Sequence, residues 1–240
     1  MNFQPRKHND KSGEYVHNLP ILREQETIDL IFSLTEGLGF ICGGFARYCI
    51  SQSKIPIVPN DIDIFCETEE VYEKIASLFE KANNVKKGRK TKIETKYKIQ
   101  LGNKTGFHQE YYGVQLIKPT QIMNMISVGD VYTILDNFDF TIARCAILPD
   151  NKTVAHVSFM AHELMKTLVI TNIHCPISSL KRVIKYCQKG YTVESFELLK
   201  LFIDYENRST EWKKTITNGF GENQLNEEEI QKFLELMYFD

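Results

Sequence analysis

Apolar and polar positions along this chain change rhythm twice. Between residues 21 and 37, Ile21, Leu22, Ile28, Leu30, Ile31 and Leu34 recur at mixed helical spacing and Gly37 marks a stop, which predicts a helix. GFICGG (39–44) then reads as a short apolar strand ending in a glycine turn, and FARYCISQS as the opening of a helix. The prolines of KIPIVP exclude a helix there, because each removes a donor and pushes the preceding residue to extended geometry. NDIDIFCE alternates with period two, Ile62 and Ile64 on one face and Asp61 and Asp63 on the other. Thr68 followed by EEVYEKIASLFEKA predicts a capped amphipathic helix with acids in its first turn. YYGVQLIKP and FDFTIARCAIL read as further strands, separated by a predicted helix over PTQIMNMISVGDVYTIL. Beyond about residue 158 the pattern turns helical: MAHELMKTLVI, SSLKRVIKYCQK stopped by Gly190, ESFELLKLFIDYEN and NEEEIQKFLELMYF. The expected fold class is α+β: a polar arm over 1–19, a head of strands and helices over 20–160, and a helical part over 161–240.

Composition narrows the function classes. The net charge of -2 means that a grip on nucleic acid has to come from local patches. One such patch is the run from Lys86 to Lys98, with seven Lys or Arg, flanked by Tyr97, Phe107, His108, Tyr111 and Tyr112. It reads either as a track for a polynucleotide backbone with stacking rings or as a solvated loop and protected edge strand. The six cysteines are scattered without a CxxC pair, which fits free thiols in a reducing, cytoplasmic setting and no zinc site. The histidines are equally dispersed. With no run of 18 apolar residues and a polar N-terminus, neither a membrane span nor a secretory signal is expected.

The chemistry concentrates between residues 43 and 63. Strand alternation puts Asp61 and Asp63 on one side, about 7 Å apart along the backbone. Like charges that close raise each other's pKa unless a cation neutralises them, and Mg²⁺ or Mn²⁺ suits such a pair when substrate phosphates complete the shell. The Gly43-Gly44 turn before a helix adds a place where backbone N–H groups can approach a phosphate. Glycine turn, helix and DxD strand together form a design for a nucleoside triphosphate and its metals, and so for two-metal phosphoryl or nucleotidyl transfer.

Gly43-Gly44-Phe45-Ala46-Arg47 followed by Asp61-Ile62-Asp63 resembles the signature of the DNA polymerase β nucleotidyltransferase superfamily. The pattern is closest to the head and neck of class II CCA-adding enzymes and poly(A) polymerases, with GGxVRD, a short helix, then DxD. Asp139-Phe140-Thr141-Ile142 is similar to the RRDFTIN element of that group, and Leu180–Tyr186 leading to Gly190-Tyr191-Thr192-Val193 looks like its neck helix. The resemblance spans roughly residues 38 to 195. It implies a small twisted mixed sheet flanked by helices, and transfer of an NMP from an NTP, ATP or CTP, onto a hydroxyl with release of pyrophosphate. By position, Gly43 and Gly44 would contact the triphosphate, Asp61 and Asp63 would ligate the metals, and Arg47 would sit near the phosphates or brace the turn. The implied acceptor is an RNA end such as tRNA, a protein side chain or a small molecule. The compact size and divergent motifs suit a phage, viral or defence-related member acting in host cytoplasm.

Departures from the pattern are visible too. Tyr48 stands where an Asp follows the arginine of GGxVRD, Asn137 and Phe138 replace the paired arginines before DFTIN, and no EDxxR determinant survives over 175–179. The resemblance therefore implies nucleotidyl transfer rather than CCA addition in particular; the alternative is an inactive nucleotide-binding or interaction module on the same fold. A third carboxylate is expected on a neighbouring strand. YYGVQLIKP offers only Gln115, so Asp139 is the candidate, either as that carboxylate or as a structural partner of Arg144 or Arg182. Arg144 is expected on the same strand as Asp139, at the nucleotide. Arg182, Lys185 and Lys189 share one helix face, suited to triphosphate or acceptor contact.

Overall fold

The computed structural model describes residues 14–81, 85–87, 97–102, 111–119, 121–122, 125–210 and 212–213. Residues 88–96 of the basic run, Phe107, His108 and the expected helix over 226–239 lie outside them. The order of elements is β1 (Tyr15–His17), α1 (Gln25–Leu34), β2 (Phe40–Cys42), α2 (Gly44–Ile50), β3 (Asp61–Phe65), α3 (Glu69–Lys81), β4 (Val85–Lys87), β5 (Tyr97–Gly102) and β6 (Tyr111–Leu116). Then come β7 (Gln121–Ile122), β8 (Met125–Ile126), α4 (Val131–Asp136), a 3-10 turn (Thr141–Ala143), β9 (Cys145–Ile147), β10 (Thr153–His156) and α5 (Phe159–Met165). The chain continues through β11 (Thr167–Leu168), α6 (Pro176–Cys187), β12 (Thr192–Val193) and α7 (Ser195–Asn207). The class is α+β, as expected. No described helix is long and apolar enough to cross a membrane.

Among the described residues the main sheet has eight strands in the order β1-β10-β9-β2-β3-β6-β5-β4. Its pairings are antiparallel except β3 with β6, which run parallel. Ile62 and Ile64 turn to one face of the sheet and are fully buried with Ile28 and Ile31 of α1, Phe45 and Cys49 of α2, and Ile75 and Phe79 of α3. On the opposite face a second core packs α4 against the sheet through Val131, Ile134 and Leu135 beside Phe40, Cys42 and Val154. A third core belongs to the helical part, where Val183 and Ile184 of α6 meet Leu198 and Leu201 of α7 around Phe140 and Ile142. Those last two come from the head, so the two parts share one apolar seam.

Four expectations change. Tyr15–His17, placed in a polar arm, is a strand paired with β10, and Tyr15 is buried with its hydroxyl donating to Asp136 Oδ1 at 2.6 Å. The expected helix over 119–135 is instead the β7–β8 pair followed by the short α4, whose start is set by Asp130 Oδ1 accepting the Thr133 N–H at 2.8 Å. FDFTIARCAIL is a strand only from Cys145, because Thr141 N donates to Val169 O and Thr171 N to Asp139 O, tying residues 139–141 to the helical part. Finally, MAHELMKTLVI is helical to Met165 and then enters β11, paired with β12.

Truncating Ile64 to Ala removes a fully buried side chain from the strand that carries both aspartates. The expected loss of stability is about 2–5 kcal/mol, read as a lower urea midpoint with an unchanged slope.

Candidate active site

The sequence leaves β2 through Gly43, whose φ of +73° and ψ of -134° suit glycine and strain any other residue. A Cβ on Gly43 would also lie 3.3 Å from the Phe138 ring. Gly43 N donates to Cys145 O at 3.3 Å, and Gly43 O accepts from Arg47 N at 2.9 Å as the first bond of α2. The far end of that helix is held by Arg23, whose guanidinium donates to Tyr48 O, Ser51 O and Ser53 O while lying over the Tyr48 ring. A cation there satisfies carbonyls that a helix end leaves unpaired. Tyr48, where the resembled signature has an Asp, is thus the platform for this clamp.

Asp61 and Asp63 occupy the half-exposed face of β3. Register sets one row across three strands, Cys42 of β2 opposite Asp63 and Asp63 opposite Gln115 of β6. Cys42 is fully buried, and burial, then Cys145 and Asp63, push its thiol pKa well up. The next row pairs Asp61 with Gly113, where an added Cβ would meet nothing within 4 Å. Gln115 is buried, and its Nε2 donates to Asp61 Oδ2 at 2.5 Å. The register thus puts Asp63 opposite Cys42, the residue before the Gly43 turn, and Gln115 joins Asp61 from β6. Phe138 forms an apolar wall against Gly43 and meets Phe65 edge-on at 5.8 Å.

Of the other expected site residues, Arg47, Asp139 and Arg182 lie at a second locus, around Tyr186. Asp139 is 7% exposed and accepts from Arg182 Nε at 2.7 Å, so the structural pairing foreseen for it is present. Arg182 is correspondingly turned to Asp139. Arg144 is buried and donates to Phe138 O and Asp136 O while pairing with Asp136 Oδ1, so it braces the 136–138 loop. Arg47 is buried too, its guanidinium between the rings of Tyr186 and Tyr191 at 5.1 and 5.9 Å. There it packs α2 against two tyrosine rings, with its Nε and Nη1 buried and without hydrogen-bond partners among the described residues. Lys185 remains exposed on α6, and the Lys189 ammonium is pushed down by burial, then by Lys185 and Arg47 nearby.

Beside Arg47 lies a carboxylate that sequence patterning did not single out. Glu163 is fully buried and accepts from Ser51 Oγ at 3.0 Å, Lys166 Nζ at 2.9 Å and the Tyr191 hydroxyl. An acid inside the apolar run MAHELM was the available signal.

A family model described as Gabija anti-defense 2 family protein matches residues 13–166. The chain belongs to the Gabija anti-defense 2 family. No curated protein matches this family member in sequence. Its fold is shared with solved nucleotidyltransferases. The Thermotoga maritima CCA-adding enzyme complexed with tRNA matches with a TM-score of 0.54 at 16% identity, over 94% of this chain and 51% of that one. A tRNA nucleotidyltransferase complexed with a primer tRNA and an incoming ATP analog matches at 0.55 and 14%, over 88% and 58%. The Bacillus stearothermophilus CCA-adding enzyme in complex with CTP matches at 0.52 and 10%, over 88% and 47%. The Gabija anti-defense 2 family protein thus spans about half the length of these relatives, and the likeness establishes the fold.

Gly43→Ala is expected to lower stability by about 1–3 kcal/mol, measured by urea denaturation, because it forces a side chain into a glycine-only backbone region. Stability should also fall in acid. His174, whose Nε2 meets Asn137 O at 3.0 Å, has a pKa lowered chiefly by burial, as do His156 and His162. The unfolded chain then binds protons more readily, so stability is held above the ordinary histidine pKa of about 6.5 and declines as pH drops below it. Urea midpoints at neutral and mildly acidic pH should differ in that direction, with a smaller difference in His174→Gln.

Proposed function

We propose that this Gabija anti-defense 2 family protein is a divalent-metal-dependent nucleotidyltransferase. It would move an NMP from ATP or CTP onto a hydroxyl of an RNA end, a protein side chain or a small molecule, and release pyrophosphate. The activity would serve to counter a Gabija defence, in keeping with the family's description. The observation that carries the reading is the adjacency of Asp61, Asp63 and the Gly43 turn on hydrogen-bonded strands of a fold shared with CCA-adding enzymes.

The donor set fits a hard cation, since both aspartates offer oxygens from one half-exposed strand face. Among the described residues no group of three or more His, Cys, Asp or Glu could hold a metal, so phosphate oxygens of the substrate would complete the shell. When bound, the ion would stabilise charge on the phosphate oxygens and align the hydroxyl. Asp61 and Asp63 would hold it, with Asp61 oriented by Gln115. Because the Gly43 N–H is donated to Cys145 O, the triphosphate would rest against the backbone at Gly44. The hydroxyl oxygen would bond to the α-phosphorus as the bond to the bridging oxygen of pyrophosphate breaks, and the hydroxyl proton would pass to solvent. Lys185 and Lys189 would offer charge to the acceptor or triphosphate from α6 and the turn after it, and the basic segment around residues 86–98 would follow an RNA acceptor.

Gln115 favours a second reading, a nucleotide-binding module without turnover, because an amide stands beside Asp63 and Asp139 is already paired with Arg182. The full chain should be incubated with each α-labelled NTP, Mg²⁺ and pools of RNA, protein or small hydroxyl acceptors. Label transfer reduced about a hundredfold or more in Asp61→Asn and Asp63→Asn, with unchanged melting temperature, is the expected result. A melting temperature raised by nucleotide without transfer would select the second reading. No response to nucleotide or Mg²⁺ would reject both.

A further inference from the structure

Gln115 is built into the carboxylate pair rather than placed beside it by accident of surface. It is 7% exposed, its strand runs parallel to β3, and it faces Asp63 in register while donating Nε2 to Asp61 Oδ2 at 2.5 Å. Glutamine has the length and shape of glutamate, so a carboxylate at this position would have joined the two aspartates in one three-acid cluster. Crowding does not explain its absence. At Gly113, the register partner of Asp61, an added Cβ would meet nothing within 4 Å, and there too the chain carries no acid.

An amide here has two physical effects. Its N–H donates to a carboxylate oxygen, which fixes the direction of Asp61. Its neutrality keeps the site at the two carboxylates of Asp61 and Asp63, and attraction for a dication scales with that number. A nucleoside triphosphate brings several more.

The geometry points to Gln115 as the positioning residue of the metal site: its amide aims Asp61, and its lack of charge makes tight divalent-cation binding conditional on the nucleotide's phosphates. This rests on the proposed role of Asp61 and Asp63 as metal ligands.

The test is a Mn²⁺ titration of the full chain, followed by electron paramagnetic resonance of the free ion, without nucleotide and then with a non-hydrolysable α,β-methylene ATP. Without nucleotide, Gln115→Glu is expected to bind Mn²⁺ about tenfold or more tightly than the natural chain, and the gap should narrow once the analogue is present. Gln115→Leu, which cannot aim Asp61, should weaken analogue-dependent Mn²⁺ binding with an unchanged melting temperature. A Gln115→Glu affinity within about twofold of the natural chain, with Asp61→Asn still abolishing binding, would overturn the inference and leave the metal-site reading intact. So would a Leu variant with natural analogue-dependent affinity. Mn²⁺ binding that ignores both Asp61→Asn and Asp63→Asn would instead reject the underlying reading. Should Gln115→Glu fail to fold by circular dichroism, Gly113→Asp puts the extra charge in the open space beside Asp61 and is judged by the same thresholds.

Discussion

Ile62 and Ile64 hold the aspartates of β3 where they are. Both isoleucines are fully buried against the helices on one face of the sheet, and strand alternation then forces Asp61 and Asp63 to the other. A slip of one residue would exchange the two sets, driving two carboxylates into a dry core and two isoleucines toward water. The register of β3 is therefore strongly specified, and with it the positions of Cys42 and Gln115 across the neighbouring strands. Gly43 follows from the same constraint, because β2 must turn into α2 directly beyond its last sheet partner.

What could be read from the sequence follows from how local each feature is. The DIDIF strand, the glycine turn and α6 carry their own periodicity and punctuation, and they form within a residue or two of expectation. Residues 139–144 do not. Their apolar run suits a strand, but its hydrogen bonds go to residues 169–171, far along the chain, and the backbone closes a 3-10 turn instead. Tyr15–His17 likewise becomes a strand only because β10 offers an edge. Of the candidate site residues, those on β3 and the turn could be placed from pattern alone. The arginines could not, since a guanidinium's reach lets it serve several partners, and Arg47, Arg144 and Arg182 each found a structural one. Gln115 was visible as a residue but not as a partner, because its bond to Asp61 depends on which strand lies beside β3.

The junction between head and helical part shows a contrasting use of charge. Glu163, Arg47, Asp139 and Arg182 are interleaved with Tyr186 and Tyr191, and most are buried. Burial of such groups is tolerated where each finds hydrogen bonds or a ring face, and a network of this kind fixes one relative placement of the packed elements better than apolar contact does. Phe140 and Ile142 supply the apolar share of the same seam. The pair on β3, by contrast, faces outward.

The parallel pairing of β3 with β6 has a consequence for how the molecule comes together. Asp61 and Gln115 are 54 residues apart, and α3, β4 and β5 must all be threaded between them before their strands can meet. Closing a loop of that length before any contact compensates for it is entropically unfavourable, and non-local parallel pairings are slow to form. The glycine turn and α2, by contrast, lie within a few residues of their own strand. During folding the glycine turn and α2 would take shape early, and the contact of Gln115 with Asp61 would arrive among the last tertiary contacts.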